Sequence, residues 1–260
     1  MTDYGFQLEQ IKQIAIEAGN AIIEVYETAF EDSIQQKDNN TPVTIADLRA
    51  HNLIKEGLEA LSTKYPVFSE EGAIPDFEDR KNIECFWLVD PLDGTKEFIK
   101  KNGDFTVNIA LIHKNKSVFG CLYVPVTGQM FWGIKGQGAW SEYKGIVHNM
   151  SVESFSDSQK GIRVLTSRSH VSSKIADYVL RFELPVILQR GSSVKMMLIA
   201  DGKADMYPRF GPTMEWDTAA AQIILEEAGG RIFDMESGKA LAYNKKSLFN
   251  PEFIALGKKV

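Results

Sequence analysis

The sequence has 260 residues, of which 44% are hydrophobic and 25% are charged, and its net charge at pH 7 is −6. This composition is typical of a globular protein, and an acidic chain without a long Lys or Arg block argues against a nucleic-acid polymer or a membrane surface as partner. Two cysteines are too few for a disulfide framework, and neither a signal pattern nor an apolar run near the ~20 residues of a membrane span is present, so we expect a cytoplasmic protein with reduced thiols.

Two helices are predicted near the start of the sequence. Apolar residues from Phe6 to Thr28 recur three and four positions apart, which predicts an amphipathic packing helix. The polar stretch 32–41 predicts an exposed loop or hairpin. A second helix with an apolar side follows, and Thr44 with Asp47 fits a capping box at its start. Capping and catalysis are compatible for Asp47, because both place a carboxylate at a helix start beside a loop.

Acidic residues follow the next two predicted strands. The short strand Tyr65 to Phe68 leads to Glu70 and Glu71, which point to opposite faces if the strand continues, and a solvated pair is the alternative. The central strand Phe86 to Val89 is expected to stop at Asp90, because the proline that follows has no N–H group to extend a ladder.

The bend after the central strand has the residue types of a metal and phosphate site. Asp93, Gly94 and Thr95 follow Asp90 closely; the glycine lets the backbone approach a ligand, and the threonine can begin a helical turn. Carboxylate oxygens suit Mg²⁺, and the first N–H groups of a helix suit a phosphate. For this pattern alone, an ordinary turn rich in Asp and Gly is the alternative.

The two halves of the sequence differ in their predicted order of elements. Three consecutive strands that indicate an antiparallel meander follow the bend: Phe105 to Ile112, Ser117 to Val124 and Gln129 to Ile134. A polar segment, 141–161, then separates the halves. We therefore expect a metal-binding catalytic half over residues 1–160 and an α/β substrate-binding half over residues 161–260, in a single compact unit.

The second half alternates strands with helices, which suggests a layered α/β arrangement. Its predicted elements are a strand at 163–166, a helix at 172–182, a strand at 185–189, a helix at 192–202, a strand at 204–207, a helix at 217–228 and a last strand at 231–233. Asp217 is well placed as the N-cap of its helix, and it would also make a third carboxylate that faces a metal.

Several of these segments together resemble a known family. The matching runs are Pro42 to Asp47, Ser69 to Glu71, Trp87 to Phe98, and Trp216 with Asp217. In this order they resemble the inositol monophosphatase superfamily of Mg²⁺-dependent, lithium-sensitive phosphatases. Wider runs resemble, within it, the bacterial 3'(2'),5'-bisphosphate nucleotidases: Asp90 to Asn108, Gly191 to Lys195, Tyr207 to Thr213, and Asn250 with Pro251.

The resemblance covers essentially the whole chain and implies a fold. That fold is the α/β (α+β) layered sugar-phosphatase fold, in which helix and sheet layers alternate as αβαβα. The antiparallel meander would lie in the first half and a mixed sheet in the second.

The resemblance also implies roles for individual residues. The ligands of two or more Mg²⁺ ions would be oxygen donors: Glu70, Asp90, the main-chain carbonyl of Leu92, Asp93 and Asp217. Asp90 would bridge two of the ions. The catalytic residues would be those that face the attacking water: Asp47, Glu70 and Thr95.

Substrate contacts are implied on both sides of the site. They are Glu70, Asp93, Gly94, Thr95, Ser167, Arg168, His170, Ser193, Lys195, Arg209 and Asp217. Lys195 and Arg209 are expected near a non-reacting 5'-phosphate, with Ser193 nearby. A solvated lysine and a satisfied loop histidine are the alternatives for Lys195 and His170.

The activity implied by the resemblance is Mg²⁺-dependent removal of the 3'-phosphate from adenosine 3',5'-bisphosphate, and from 3'-phosphoadenylyl sulfate, by in-line attack of activated water. Sulfate assimilation would be its setting, and Li⁺ would inhibit it. A phosphatase for inositol phosphates or other small monoesters is one alternative, although it has less use for Arg168, Lys195 and Arg209. A catalytically silent nucleotide-binding regulator is another, but it should have lost ligands that this sequence keeps. The resemblance leaves open a peripheral association with the inner membrane, and the sequence carries no prediction of oligomeric state.

Overall fold

The computed structural model describes residues 7–28, 34–36, 42–168 and 173–260, with the backbone alone for 34–36, 42 and 43. The helices of this part are α1 (Leu8–Thr28), α2 (Ile45–Ala60), α3 (Phe77–Arg80), α4 (Thr95–Ile99), α5 (Ser173–Val179), α6 (Val194–Ala200) and α7 (Glu215–Glu227). Its strands are β1 (Ile34–Gln36), β2 (Pro42–Thr44), β3 (Val67–Ser69), β4 (Cys85–Asp93), β5 (Thr106–His113), β6 (Lys116–Val124), β7 (Gln129–Ile134), β8 (Gly138–Tyr143), β9 (Ile146–Asn149), β10 (Ser154–Phe155), β11 (Arg163–Ser167), β12 (Val186–Arg190), β13 (Met206–Arg209), β14 (Arg231–Asp234), β15 (Phe253–Leu256) and β16 (Lys258–Lys259).

The larger sheet contains seven strands in the order β3-β4-β5-β6-β7-β8-β9, antiparallel from β4 onward. The predicted meander is therefore confirmed, but it continues for two more strands into the segment 141–161 that was expected to be a polar separator. Along β8 the burial alternates, with Ala139 and Ser141 buried, and all four residues of β9 are exposed. Because half of β8 and all of β9 face water, their composition resembles that of a loop.

The central strand does not stop at Asp90, contrary to the prediction. It runs on through Pro91 to Asp93, and the register with β5 shifts between the two aspartates, which form a β-bulge. A proline is tolerated at a bulge because no ladder hydrogen bond is lost there. The bulge brings both aspartates to the same end of the sheet.

The smaller sheet is mixed, as predicted, with five strands in the order β12-β11-β13-β15-β14. Strand β11 is parallel to β12 and β13, whereas β15 is antiparallel to both of its neighbours. The segment 231–233 was predicted to be the last strand, yet β15 follows it and lies between β13 and β14. The run in β15 has only four residues, too few for periodicity to identify a buried strand.

Helix α7 packs between the two sheets and comes very close to the larger one. A Cβ atom at Gly120 would lie 2.3 Å from the carbonyl oxygen of Ala220, and one at Gly133 would lie 2.8 Å from the Cα of Ile224. Glycine on the sheet therefore lets the helix backbone approach directly. Opposite α7, helices α1 and α2 cover the other face of the larger sheet through a continuous apolar cluster.

The order of layers is helix, sheet, helix, sheet, helix. Helices α1 and α2 form the first layer, α6 and α7 the middle one, and α5 packs Tyr178 and Val179 on the outer face of the smaller sheet. The predicted αβαβα arrangement is confirmed. Among the described residues, no helix combines the length and apolar character that a bilayer span requires. Cys85 and Cys121 are free thiols.

Candidate active site

Three carboxylates from separate elements converge at one end of the larger sheet. Glu70 follows β3, Asp90 is on the bulge of β4, and Asp217 is in the first turn of α7; one oxygen of each lies within 4.8 Å of the others. Burial first, and then the neighbouring acids, raise the pKa of Asp90 and of Asp217 well above the usual range. Such a group is costly without a cation, because like charges lie together away from water.

The donors in this group fit Mg²⁺. All are hard oxygen atoms, which magnesium prefers, and no nitrogen or sulfur ligand is among the clustered side chains in the described part of the chain. Leu92, whose main-chain carbonyl was predicted as a further ligand, lines the same cavity, and that carbonyl also accepts a hydrogen bond from the Thr95 hydroxyl at 3.4 Å. A carbonyl oxygen has a second lone pair, so this contact leaves it able to bind a cation.

Asp217 is not the N-cap that the sequence suggested. Helix α7 begins one turn earlier, with Met214 as its N-cap, and the Oδ2 atom of Asp217 accepts a hydrogen bond from the Met214 N–H at 2.9 Å. The carboxylate thus stabilises the helix start with one oxygen, which leaves the other oxygen for the acidic group.

Asp93 lies beside this group, and its Oδ2 atom is held by donors. The main-chain N–H and the hydroxyl of Ser193 each donate to it at 2.6 Å, and the side-chain amide of Asn108 donates at 3.4 Å. Sequence reasoning missed Asn108 as a neighbour of the site. Its signal was a lone amide in the apolar strand β5, between Val107 and Ile109.

A second feature is the pair formed by Asp47 and Thr95. Asp47 caps α2 as predicted: its Oδ2 atom accepts from the N–H of Thr44 at 2.8 Å and from the Thr44 hydroxyl at 2.6 Å. Its Oδ1 atom accepts from the hydroxyl of Thr95 at 3.2 Å. Burial raises the pKa of Asp47 to about 6, although these hydrogen bonds act in the opposite direction.

Gly94 shapes the backbone between Asp93 and α4. It is the N-cap of α4, with a φ of +97°, and a Cβ atom there would lie 2.9 Å from the carbonyl oxygen of Asp104. Both the conformation and the close approach favour glycine. Gly94 and Thr95 therefore present their backbone to the cavity at the start of a helical turn, a geometry suited to a phosphate.

The cavity has a volume of about 230 Å³ and is lined by side chains of both charges. Glu70, Asp90 and Asp217 line it together with two cations, Lys195 and Arg209. Lys195 is only 5% exposed; burial lowers its pKa to about 8, and its Nζ atom donates to the Ser192 carbonyl at 2.5 Å. Arg209 is 8% exposed, and its Nε atom has no hydrogen-bond partner among the described residues.

The structure brings most of the predicted substrate contacts together in this cavity. Those that line it are Glu70, Asp93, Gly94, Thr95, Ser167, Ser193, Lys195, Arg209 and Asp217. Arg168 instead forms an ion pair with Asp104, with its Nε atom 2.7 Å from Oδ2, and the same oxygen accepts from the Gly191 N–H at 2.8 Å. The prediction for His170 lies outside the described residues.

Comparisons with known proteins agree with this geometry. The inositol monophosphatase family matches residues 7–256 of the chain. The chain is 44% identical to the 3'(2'),5'-bisphosphate nucleotidase CysQ of Salmonella typhimurium, over 95% of this chain and 98% of that protein. It is 33% identical to the CysQ of Haemophilus influenzae, over 96% and 92% of the two chains. The crystal structure of CysQ from Bacteroides thetaiotaomicron superposes with a TM-score of 0.84 at 38% identity, covering 98% of this chain and 99% of that one.

Proposed function

We propose that this chain, which belongs to the inositol monophosphatase family, removes the 3'-phosphate of adenosine 3',5'-bisphosphate and releases AMP and phosphate. The observation that carries the proposal is a single cavity lined both by clustered carboxylates and by two buried cations. Three clustered carboxylates suit a reacting phosphate with its cations, whereas the buried Lys195 and Arg209 suit a second phosphate. The unpartnered Nε atom of Arg209 supports this, because a buried donor without an acceptor is costly unless a ligand supplies one.

The cations of this reaction would be held by the oxygen atoms already described. Glu70, Asp90 and Asp217 form the core of the site, with the Leu92 carbonyl and Asp93 beside it. We propose two or more Mg²⁺ ions there, and inhibition by Li⁺ at one of these positions. When bound, Mg²⁺ polarises the oxygens of water and of the transferring phosphate.

Asp47 and Thr95 would orient the attacking water. The single hydroxyl proton of Thr95 faces two acceptors, Asp47 Oδ1 at 3.2 Å and the Leu92 carbonyl at 3.4 Å. With its proton donated in this way, the Thr95 oxygen can accept a hydrogen bond from water. With a pKa of about 6, Asp47 is mainly ionised at pH 7, and its negative charge makes the Thr95 oxygen a stronger hydrogen-bond acceptor. The N–H groups of Gly94 and Thr95 would stabilise negative charge on the phosphate oxygens.

Lys195 and Arg209 would fix the other end of the substrate. By holding the 5'-phosphate, they would orient the 3'-phosphorus toward the clustered carboxylates, and correct orientation accounts for a large part of the rate enhancement in phosphoryl transfer. Ser167 also lines the cavity, and Arg168, which forms an ion pair with Asp104, follows it in sequence. The sulfated precursor 3'-phosphoadenylyl sulfate carries the same 3'-phosphate, and we extend the proposal to it. We also propose a cytoplasmic location, because the two cysteines are free thiols and the cytoplasm keeps thiols reduced.

The test is phosphate release from adenosine 3',5'-bisphosphate and from inositol 1-phosphate, each with Mg²⁺ and with a chelator. We expect Mg²⁺-dependent turnover with a much higher kcat/KM for the nucleotide. A preference for inositol 1-phosphate would overturn the assignment of Lys195 and Arg209 to a second phosphate. Nucleotide binding without any turnover would instead indicate a regulator.

A further inference from the structure

Asn108 is a buried amide in the central part of the larger sheet. It is 1% exposed, it lies between Val107 and Ile109 in β5, and its partner in the β4 ladder is Asp90. Burying an amide in an apolar strand costs free energy unless its hydrogen-bonding groups are satisfied. The contacts of this side chain therefore indicate what it does.

The orientation of the amide is fixed from both ends. Its Oδ1 atom accepts a hydrogen bond from the buried hydroxyl of Thr106 at 3.0 Å. Its Nδ2 group then donates to the hydroxyl oxygen of Ser193 at 3.1 Å and to Oδ2 of Asp93 at 3.4 Å. The reverse orientation would point a carbonyl oxygen at the Asp93 carboxylate, so electrostatic repulsion also disfavours it.

Three donors thus converge on a single oxygen of Asp93. Asn108 approaches from β5, and the N–H and hydroxyl of Ser193 approach from the start of α6. With Oδ2 occupied in this way, the carboxylate has one orientation, and Oδ1 is the oxygen left for a cation. The hydroxyl of Ser193 also lies 2.7 Å from the main-chain carbonyl of Asp217, which is a second acceptor for its single proton.

We propose that Asn108 is a positioning residue that, with Ser193, holds Asp93 so that it binds a cation through Oδ1 alone. Hydrogen bonds to the far oxygen of a ligating carboxylate orient it and adjust its affinity, and loss of such a partner typically lowers metal affinity by roughly 10–100-fold. This inference rests on the cation site of the proposed function, but not on the identity of the substrate.

The experiment measures Mn²⁺ binding to the full chain without substrate, by electron paramagnetic resonance of free Mn²⁺. Asn108→Leu removes the amide at similar volume, and we expect the affinity of one Mn²⁺ position to fall by roughly 10-fold or more. Thr106→Val removes only the hydroxyl that orients the amide, so a smaller fall is expected, and Thr106→Ser should restore the affinity. Ser141→Ala is the control, since it removes another buried hydroxyl of the larger sheet, on β8, where Ser141 contacts the Nε2 atom of His148 at 2.9 Å.

The outcomes separate this inference from the proposed function. Unchanged Mn²⁺ affinity in Asn108→Leu, or equal affinities in the two Thr106 variants, would overturn it. If Asn108→Leu fails to fold, the Thr106 pair decides. If the wild type does not hydrolyse the nucleotide, the proposed function is contradicted. If the variants nevertheless bind Mn²⁺ more weakly than the wild type, the role of Asn108 is supported.

Discussion

The hydroxyl of Thr95 lies 3.2 Å from the Oδ1 atom of Asp47, and this contact joins the first turn of α4 to the first turn of α2. Thr44 holds the other oxygen of Asp47 through the capping box. A feature that stabilises a helix start therefore also directs one carboxylate oxygen to Thr95. One oxygen of Asp47 caps α2, and the other is available for the catalytic role that we propose.

Replacing Asp47 by Asn should separate activity from stability. In the unfolded chain this carboxyl group ionises near the ordinary aspartate value of 3.8, whereas burial raises its pKa in the folded protein to about 6. The folded state therefore binds more protons between these values, and its stability falls as the pH rises through this window. At pH 7, Asp47→Asn removes a buried charge and should not lower the melting temperature.

Turnover should nevertheless fall by about 10²–10⁴-fold in Asp47→Asn, because a neutral amide accepts the hydrogen bond from Thr95 more weakly than a carboxylate does. The measurements are kcat and thermal melts at pH 4.5 and pH 7. Thr95→Val is the comparison, and it should lose similar activity. Undiminished turnover in Asp47→Asn would exclude the proposed role of the pair.

The charge of Lys195 predicts a pH dependence on the alkaline side. Burial lowers its pKa to about 8, so the free enzyme loses this cation as the pH rises through 8. We expect kcat/KM for adenosine 3',5'-bisphosphate to fall above that pH. The value for adenosine 3'-phosphate, which lacks the second phosphate, should not fall in this way.

The variant Lys195→Arg tests this explanation, because arginine stays protonated at every pH used. Its kcat/KM for the bisphosphate should show no alkaline fall near pH 8. If the wild type and this variant have the same pH profile, Lys195 does not bind the 5'-phosphate in its charged form.

Cation binding should stabilise the fold, and more so at high pH. Because the pKa values of Asp90 and Asp217 are raised in the folded protein, its stability without metal decreases as the pH rises through those values. Mg²⁺ should therefore raise the melting temperature more at pH 8 than at pH 5. Free Mg²⁺ at 100 times the Kd of one site adds about 2.7 kcal/mol to the free energy of unfolding.

Asp90→Asn should melt at a higher temperature than the wild type in chelator, yet it should gain little from Mg²⁺. The exposed Asp157, which forms an ion pair with Lys259, supplies the control variant Asp157→Asn. Equal Mg²⁺-induced shifts in the wild type and Asp90→Asn would contradict a cation at the acidic group.

The backbone at Gly94 should not tolerate a side chain. Gly94→Ala combines a φ of +97° with a contact of 2.9 Å to the Asp104 carbonyl. Gly145 has a φ of +75° and open space around it, so Gly145→Ala shows the conformational cost alone, about 1–2 kcal/mol. Urea denaturation should find Gly94→Ala less stable than Gly145→Ala, and equal losses would mean that the Asp104 contact is easily relieved.

Local signals in the sequence were sufficient for much of the fold and the site. The capping box at Thr44 and Asp47, the helical turn that begins at Thr95 and the periodicity of α1 each depend on residues within a few positions of one another. The structure confirms these three elements. The family resemblance supplied the convergence of Glu70, Asp90 and Asp217, which no local signal contains.

Features that depend on distant partners were missed. Strand β9 is exposed at the edge of the sheet, so its composition does not differ from that of a loop. The bulge that carries β4 past Pro91 depends on its register with β5. Likewise, residue spacing predicts neither the ion pair of Arg168 with Asp104 nor the hydrogen bond from Asn108 to Asp93, because the partners are distant in sequence.

The central claim is that water attacks the 3'-phosphorus while Lys195 and Arg209 hold the 5'-phosphate. The most direct test is ³¹P nuclear magnetic resonance of the products formed from adenosine 3',5'-bisphosphate with Mg²⁺ in H₂¹⁸O. We expect adenosine 5'-phosphate without label and inorganic phosphate with one ¹⁸O atom. Adenosine 3'-phosphate as the product, or ¹⁸O in the nucleoside, would contradict it.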